Sequence, residues 1–188
     1  IADVLFGDYN PAGRLPLTFY KDINDTPAFD DYNMQGKTYR YFKGKPLYDF
    51  GFGLSYSTFE YKNLEVLENN NTSEKITVKV DVTNTGKFDG DEVVQLYLKR
   101  DDDGFNPVNT LVGFERTYLK VGETKTVQFE IIPKQLAKVN LDSHVLEVTA
   151  QEIRISVGGM QFSNEREKKG NVLAKTIYLK GAPYQIVQ

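Results

Sequence analysis

The stretch Ile76-Thr77-Val78-Lys79-Val80-Asp81-Val82-Thr83 decides the fold. Branched apolar residues alternate with polar ones at a period of two, so one set faces a dry interior and the other faces water. Directly after it, Asn84-Thr85-Gly86 and Asp89-Gly90 supply turn chemistry, and residues 92–99 resume as a second strand around Val94, Leu96 and Leu98. Further along, Val127, Phe129 and Ile131 alternate again, as do Ile153, Ile155 and Val157. Residues 172–179 give a last strand, Leu64 and Val66 mark an early one, and 111–119 and 145–148 supply two more. Short strands separated by turn residues, with almost no helical period, predict a mainly β chain built as a sandwich of about seven strands.

Composition agrees. Of 188 residues, 40% are hydrophobic, enough for a packed core. Twelve Tyr and twelve Phe, with no Trp, suit strands, where flat rings pack on a pleated surface. A formal charge of -3, with no basic stripe to neutralise phosphates, argues against a nucleic-acid partner. No apolar run approaches the ~18 residues of a membrane span. Without cysteine there is neither a disulfide framework nor a thiolate metal site. No metal site and no cofactor are expected, since P-loop and dinucleotide fingerprints are both missing.

Residues 1–56 have a different character. Ile1, Val4 and Leu5 stand at helical spacing and Gly7 follows as a left-handed cap, which reads as the last turns of a longer helix. With no initiating Met and no leader pattern, the chain reads as a processed or trimmed piece. Asn10-Pro11-Ala12-Gly13 predicts a turn, and Leu15-Pro16-Leu17-Thr18-Phe19 a short extended run. Residues 32–56 read as a long packed connecting loop.

Several candidate chemistries fail on their residue patterns. The one histidine, His144, sits in the turn-like Asn140-Leu141-Asp142-Ser143-His144 and reads as a surface residue. Gly53-Leu54-Ser55-Tyr56-Ser57 lacks the final glycine of a nucleophile elbow. Asp101-Asp102-Asp103-Gly104 begins like a calcium loop, but Phe105, Asn106 and Val112 stand where that loop needs a ligand, a glycine and a Glu. Glycosidases use two carboxylates, yet nothing in the sequence places a pair such as Asp30-Asp31 around a sugar.

Four blocks in order carry a family resemblance. The run from Val4 to Phe19 resembles the segment closing the α/β sandwich domain of glycoside hydrolase family 3. Thr38-Tyr39-Arg40-Tyr41-Phe42, followed by Pro46-Leu47-Tyr48-Asp49-Phe50-Gly51-Phe52-Gly53-Leu54-Ser55-Tyr56, resembles that family's passage into its third domain. Asn84-Thr85-Gly86 with Glu92-Val93-Val94-Gln95-Leu96-Tyr97, and then Leu111-Val112-Gly113-Phe114-Glu115-Arg116, resemble its fibronectin-III-like domain.

The resemblance implies a fibronectin-III/immunoglobulin-like β-sandwich preceded by the tail end of an α/β sandwich domain. The expected division is a closing remnant at 1–31, a connecting loop segment at 32–56 and the sandwich at 57–188. It implies a parent enzyme that hydrolyses terminal β-glycosidic bonds with retention, of β-glucosidase or β-xylosidase type. The family's nucleophile and acid/base match no residue here, so no catalytic residue is assigned and the isolated segment is expected to be inactive, bracing the catalytic domains. Its partners would be the upstream catalytic domains of the same polypeptide and, through them, an oligo- or polysaccharide. Export to the periplasm or outside the cell is expected by the same analogy. Tyr39 and Arg40 are the substrate-proximal candidates: a ring face and hydroxyl for a sugar, and a fork for its hydroxyls. The competing reading has both residues fastening two domains together. The alternative for the whole chain is a stand-alone carbohydrate-binding or adhesive β-sandwich module without hydrolase activity.

Overall fold

The structure, a computed structural model, describes residues 1–67, 70–100, 106–162, 167 and 170–187. Ten strands appear among them: β1 Phe59–Leu67, β2 Ile76–Asn84, β3 Gly90–Arg100, β4 Thr110–Leu119, β5 Thr124–Ile131, β6 Lys138–Val139, β7 Leu146–Val148, β8 Glu152–Gly158, β9 Val172–Tyr178 and β10 Tyr184–Gln185. Seven of them make the expected sandwich, a three-stranded sheet β1-β2-β5 and a four-stranded sheet β4-β3-β8-β9, antiparallel throughout. A small third sheet, β10-β7-β6, closes one side. Its middle strand β7 is the one expected at 145–148, whereas the two-residue β6 and β10 are too short to carry a period and go unannounced in the sequence.

The inner faces follow the alternation. Ile76, Val78, Val80 and Val82 of β2 are all fully buried, and across the gap they join Val94 and Leu96 of β3 and Ile153, Ile155 and Val157 of β8 in one core. Each such side chain contributes about 1.5–3 kcal/mol relative to exposure. In β1, Tyr61 and Val66 are both buried although they stand an odd number of positions apart. A bulge between Lys62 and Glu65 accounts for this: Asn63 takes a left-handed φ of 54° and the register against β2 shifts. The Asn63 amide donates to Asp81 Oδ2 at 2.8 Å and pins the bulge.

Buried Asn84 gives the Asn-Thr-Gly turn its mechanism. Its Oδ1 accepts from the Ser57 hydroxyl at 2.6 Å and the Gly86 N–H at 3.0 Å, while its amide donates to the carbonyls of Phe88 and Leu119. The whole donor and acceptor capacity of a 0% exposed side chain is thereby used.

Two short α-helices lie in the first 56 residues, α1 Ala2–Phe6 and the single turn α2 Thr38–Tyr41, the latter inside the stretch read as loop, with a 3-10 turn at Ile23–Asp25 between them; α3 Pro133–Leu136 follows β5. Helix α1 ends at Gly7 with φ 88°, the left-handed cap the sequence calls for. The turn expected over residues 10–13 is absent. The Asn10 amide donates to Asp89 O at 3.0 Å, and its Oδ1 accepts from Ser55 Oγ and Tyr56 N at 2.9 Å. These tertiary partners outweigh the local preference of Pro-Ala-Gly. The run 15–19 pairs at both ends with 47–52, through Leu15 N–H to Phe52 O and Phe19 N–H to Tyr48 O, and bends at Pro16 between them. His144 lies exposed in the turn before β7. The acidic run 101–104 lies outside the described residues.

Candidate functional site

Helix α2 presents the candidates. Thr38 enters it with φ 55°, an outlying conformation for a β-branched residue. The backbone is then held to the sandwich by Val108 N–H donating to Arg40 O at 2.5 Å. Tyr39 stacks on Phe50 with centroids 4.0 Å apart and planes 15° apart, and its hydroxyl accepts from Leu111 N–H at 3.4 Å. Tyr39 also lines a cleft of about 700 Å³ whose walls include Phe42, Tyr48, Phe52 and Phe162 and whose polar positions include Thr18, Asp49 and Asn109. Arg40 turns its guanidinium over the Tyr41 ring, 5.6 Å from the centroid, and is not among the residues lining that cleft. Its buried Nε has no hydrogen-bond partner. The structure thus separates the two neighbours: Tyr39 both fastens and lines through its side chain, whereas Arg40 fastens only through its backbone carbonyl and its side chain is not part of the cleft lining.

A second constellation escaped sequence reasoning because its members lie in different blocks. Arg14 Nη2 donates to Glu92 Oε2 at 2.6 Å, and the Tyr61 hydroxyl donates to Glu92 Oε1 at 2.6 Å. The Arg14 and Glu92 side chains are 13% and 4% exposed. Burial pushes the Glu92 carboxyl up from its ordinary value, against the pull of Arg14 and of the hydrogen bonds it accepts. Tyr61 is pushed far above the ordinary phenol range, by burial first and by the Glu92 charge second. A raised carboxyl in a buried place is a signature of acid catalysts. Here both oxygens are engaged by the chain itself, so the arrangement is a structural tie. Gly159 permits it: a Cβ there would stand 2.3 Å from Glu92 Oε1.

The other sequence candidates do not converge. Asp31 accepts from the backbone and side-chain N–H groups of Asn33, and that backbone bond holds its carboxyl below the ordinary value. Among the described residues no group of three or more His, Asp or Glu stands close enough to hold a metal.

Comparison with known proteins places these features. The model described as "Glycosyl hydrolase family 3 C-terminal domain" matches residues 1–56, and that of the "Fibronectin type III-like domain" matches 92–161. A xylan 1,4-beta-xylosidase of Xylanibacter ruminicola is 38% identical over 168 residues, 89% of this chain and 19% of that protein. A periplasmic beta-glucosidase of Salmonella typhimurium is 42% identical over 145 residues, 70% of this chain and 19% of that protein. The chain therefore spans about a fifth of the length of these relatives. Among solved structures, beta-glucosidase 3B from Thermotoga neapolitana in complex with alpha-D-glucose superposes with a TM-score of 0.83 at 33% identity, over 98% of this chain and 27% of that one. No described helix is long and apolar enough to cross a membrane. The two matched domains, in this order on one fold, make the chain a member of glycoside hydrolase family 3, corresponding to the C-terminal part of its members.

Proposed function

We propose that this chain is the bracing C-terminal piece of an exported enzyme that hydrolyses terminal β-glucosidic or β-xylosidic bonds with retention. The chemical step belongs to upstream catalytic domains of the same polypeptide, which are its partners and deliver the oligo- or polysaccharide. Residues 1–31 close the preceding α/β domain, 32–56 connect, and 57–188 form the brace. Tyr39 and Arg40 lie toward the substrate side of that junction.

The observation carrying this reading is the uneven surface of residues 1–56. One side is tied to the sandwich through Asn10, Arg14 and Gly51. The same segment leaves Ile1, Leu5, Phe6, Phe29 and Tyr32 between 73% and 101% exposed. Large apolar side chains gathered in one segment mark an interaction surface. Hydrolysis of aryl β-D-glucosides and β-D-xylosides by the whole polypeptide and by this chain alone is the test. Turnover by the former and none by the latter is expected. Turnover by this chain alone, or an undiminished rate after its removal from the parent, overturns the proposal.

A further inference from the structure

The cleft lined by Tyr39 holds more than a junction needs. Its volume of about 700 Å³ falls in the range of small-molecule sites, roughly 300–1,000 Å³. Its aromatic walls are held in place from behind: Phe50 backs Tyr39, the Tyr20 ring meets Phe42 edge-on at 4.9 Å, and Phe52 lies 5.2 Å from Tyr48. Rings fixed before a ligand arrives lose little freedom on binding it. Tyr48 nevertheless remains 44% exposed.

Asn109 stands in the same lining, only 5% exposed, with no hydrogen bond from its amide to another described residue. The Thr18 hydroxyl in that wall is likewise buried and unpartnered. Buried polar groups in native proteins are nearly always satisfied, so the Thr18 hydroxyl calls for a partner; the Asn109 amide keeps contact with solvent, and a ligand hydroxyl can take the place of the water there. An apolar side chain from a neighbouring protein would cover the rings and leave that amide unsatisfied. An anion would meet Lys43 and Lys45 but also the Asp49 carboxylate. A neutral pyranose fits both demands: its C–H face lies against an aromatic ring, and adjacent hydroxyls use the donor and the acceptor of one amide.

We infer that this cleft is a binding site for a single neutral pyranose, held by the aromatic walls and by Asn109. The inference does not rest on the parent's hydrolytic activity, and its test separates the two. Amide proton–nitrogen correlation spectra of this chain are followed on addition of methyl β-D-glucopyranoside or methyl β-D-xylopyranoside, with mannitol as an open-chain polyol control. Saturable shifts confined to residues 42–49, 108–109 and 161–162 are expected, with little response to mannitol. Asn109→Ala weakens binding about tenfold, the loss of its hydrogen bonds, and Tyr48→Ala abolishes it. No shifts at tens of millimolar glycoside, shifts elsewhere, equal binding of mannitol, or undiminished binding by a folded Asn109→Ala chain overturns the inference. If either variant fails to fold, the wild-type shift map and the mannitol contrast still decide.

Discussion

Arg14 and Glu92, 78 residues apart in sequence, meet at 2.6 Å with both side chains nearly out of water. The pair joins the segment matched by the family's C-terminal domain to strand β3, where the match to the fibronectin-like domain begins. Removing one member of a buried pair leaves the other charge uncompensated and costs about 3–5 kcal/mol. Arg14→Ala is expected to destabilise the chain by that amount at neutral pH.

The pH dependence of that loss has a definite sign. The Glu92 carboxyl is raised above its ordinary 4.5 in the fold, burial being the largest cause. The folded chain therefore holds this proton more tightly than the unfolded chain. Its contribution to stability is fully present below the unfolded value and declines as pH rises through the folded one. Arg14 pulls the carboxyl down, so Arg14→Ala lifts it further. The gap between wild type and variant should be widest at neutral pH and narrow in acid, as Glu92 takes up a proton. Urea midpoints at both conditions measure it, and an equal gap at both contradicts the account.

Tyr61→Phe removes one hydrogen bond to the same carboxylate and should cost about 1.5–3 kcal/mol, the range for bonds to charged groups. In a spectrophotometric titration of the folded chain, the number of phenols ionising near the ordinary value of 10.0 should not change on this substitution. A drop of one would mean that Tyr61 titrates as an exposed residue.

Gly51 and Gly7 form a matched pair of tests. Both have left-handed φ, 78° and 88°, but a Cβ on Gly51 would stand 2.2 Å from Gln95 Oε1 and 2.8 Å from Tyr97 Oη, while one on Gly7 meets nothing within 4 Å. Gln95 is already committed, with Nε2 donating to Gly51 O and Gly159 O and Oε1 accepting from the Tyr97 hydroxyl. Gly7→Ala should cost no more than the conformational ~1–2 kcal/mol. Gly51→Ala should exceed it by at least about 1 kcal/mol because buried neighbours must move. Similar thermal midpoints for the two variants would refute the close approach.

Limited proteolysis should distinguish the tied from the untied parts of residues 1–56. Residues 21–35 are almost all exposed, whereas 15–19 exchange backbone hydrogen bonds with 47–52. The earliest cuts, located by mass spectrometry, are expected within 21–35. Early cleavage inside 10–19 contradicts the docked arrangement.

The sandwich was legible because its information is local. The alternation through Ile76, Val78, Val80 and Val82 states the buried face of β2, and the same period marks β3, β5 and β8. What could not be read depends on distant partners. Nothing around Asn10 announces that Asp89, Ser55 and Tyr56 will hold it and cancel the turn expected at 10–13. Glu92 reads as an ordinary polar residue at a strand start until Arg14 and Tyr61 arrive. Tyr39 was visible as a candidate, but its cleft is assembled from residues 18, 39, 42–49, 52, 108–109 and 161–162, which only the fold brings together.

The proposed role of this chain as a non-catalytic brace within a larger hydrolase can be checked in source cells. The native extract is separated by size, stained with a fluorogenic β-glycoside and probed with an antibody against residues 57–188. One band several times larger than 21.4 kDa, both recognised and hydrolytic, is expected. A recognised band at 21.4 kDa, with hydrolysis elsewhere, would contradict it.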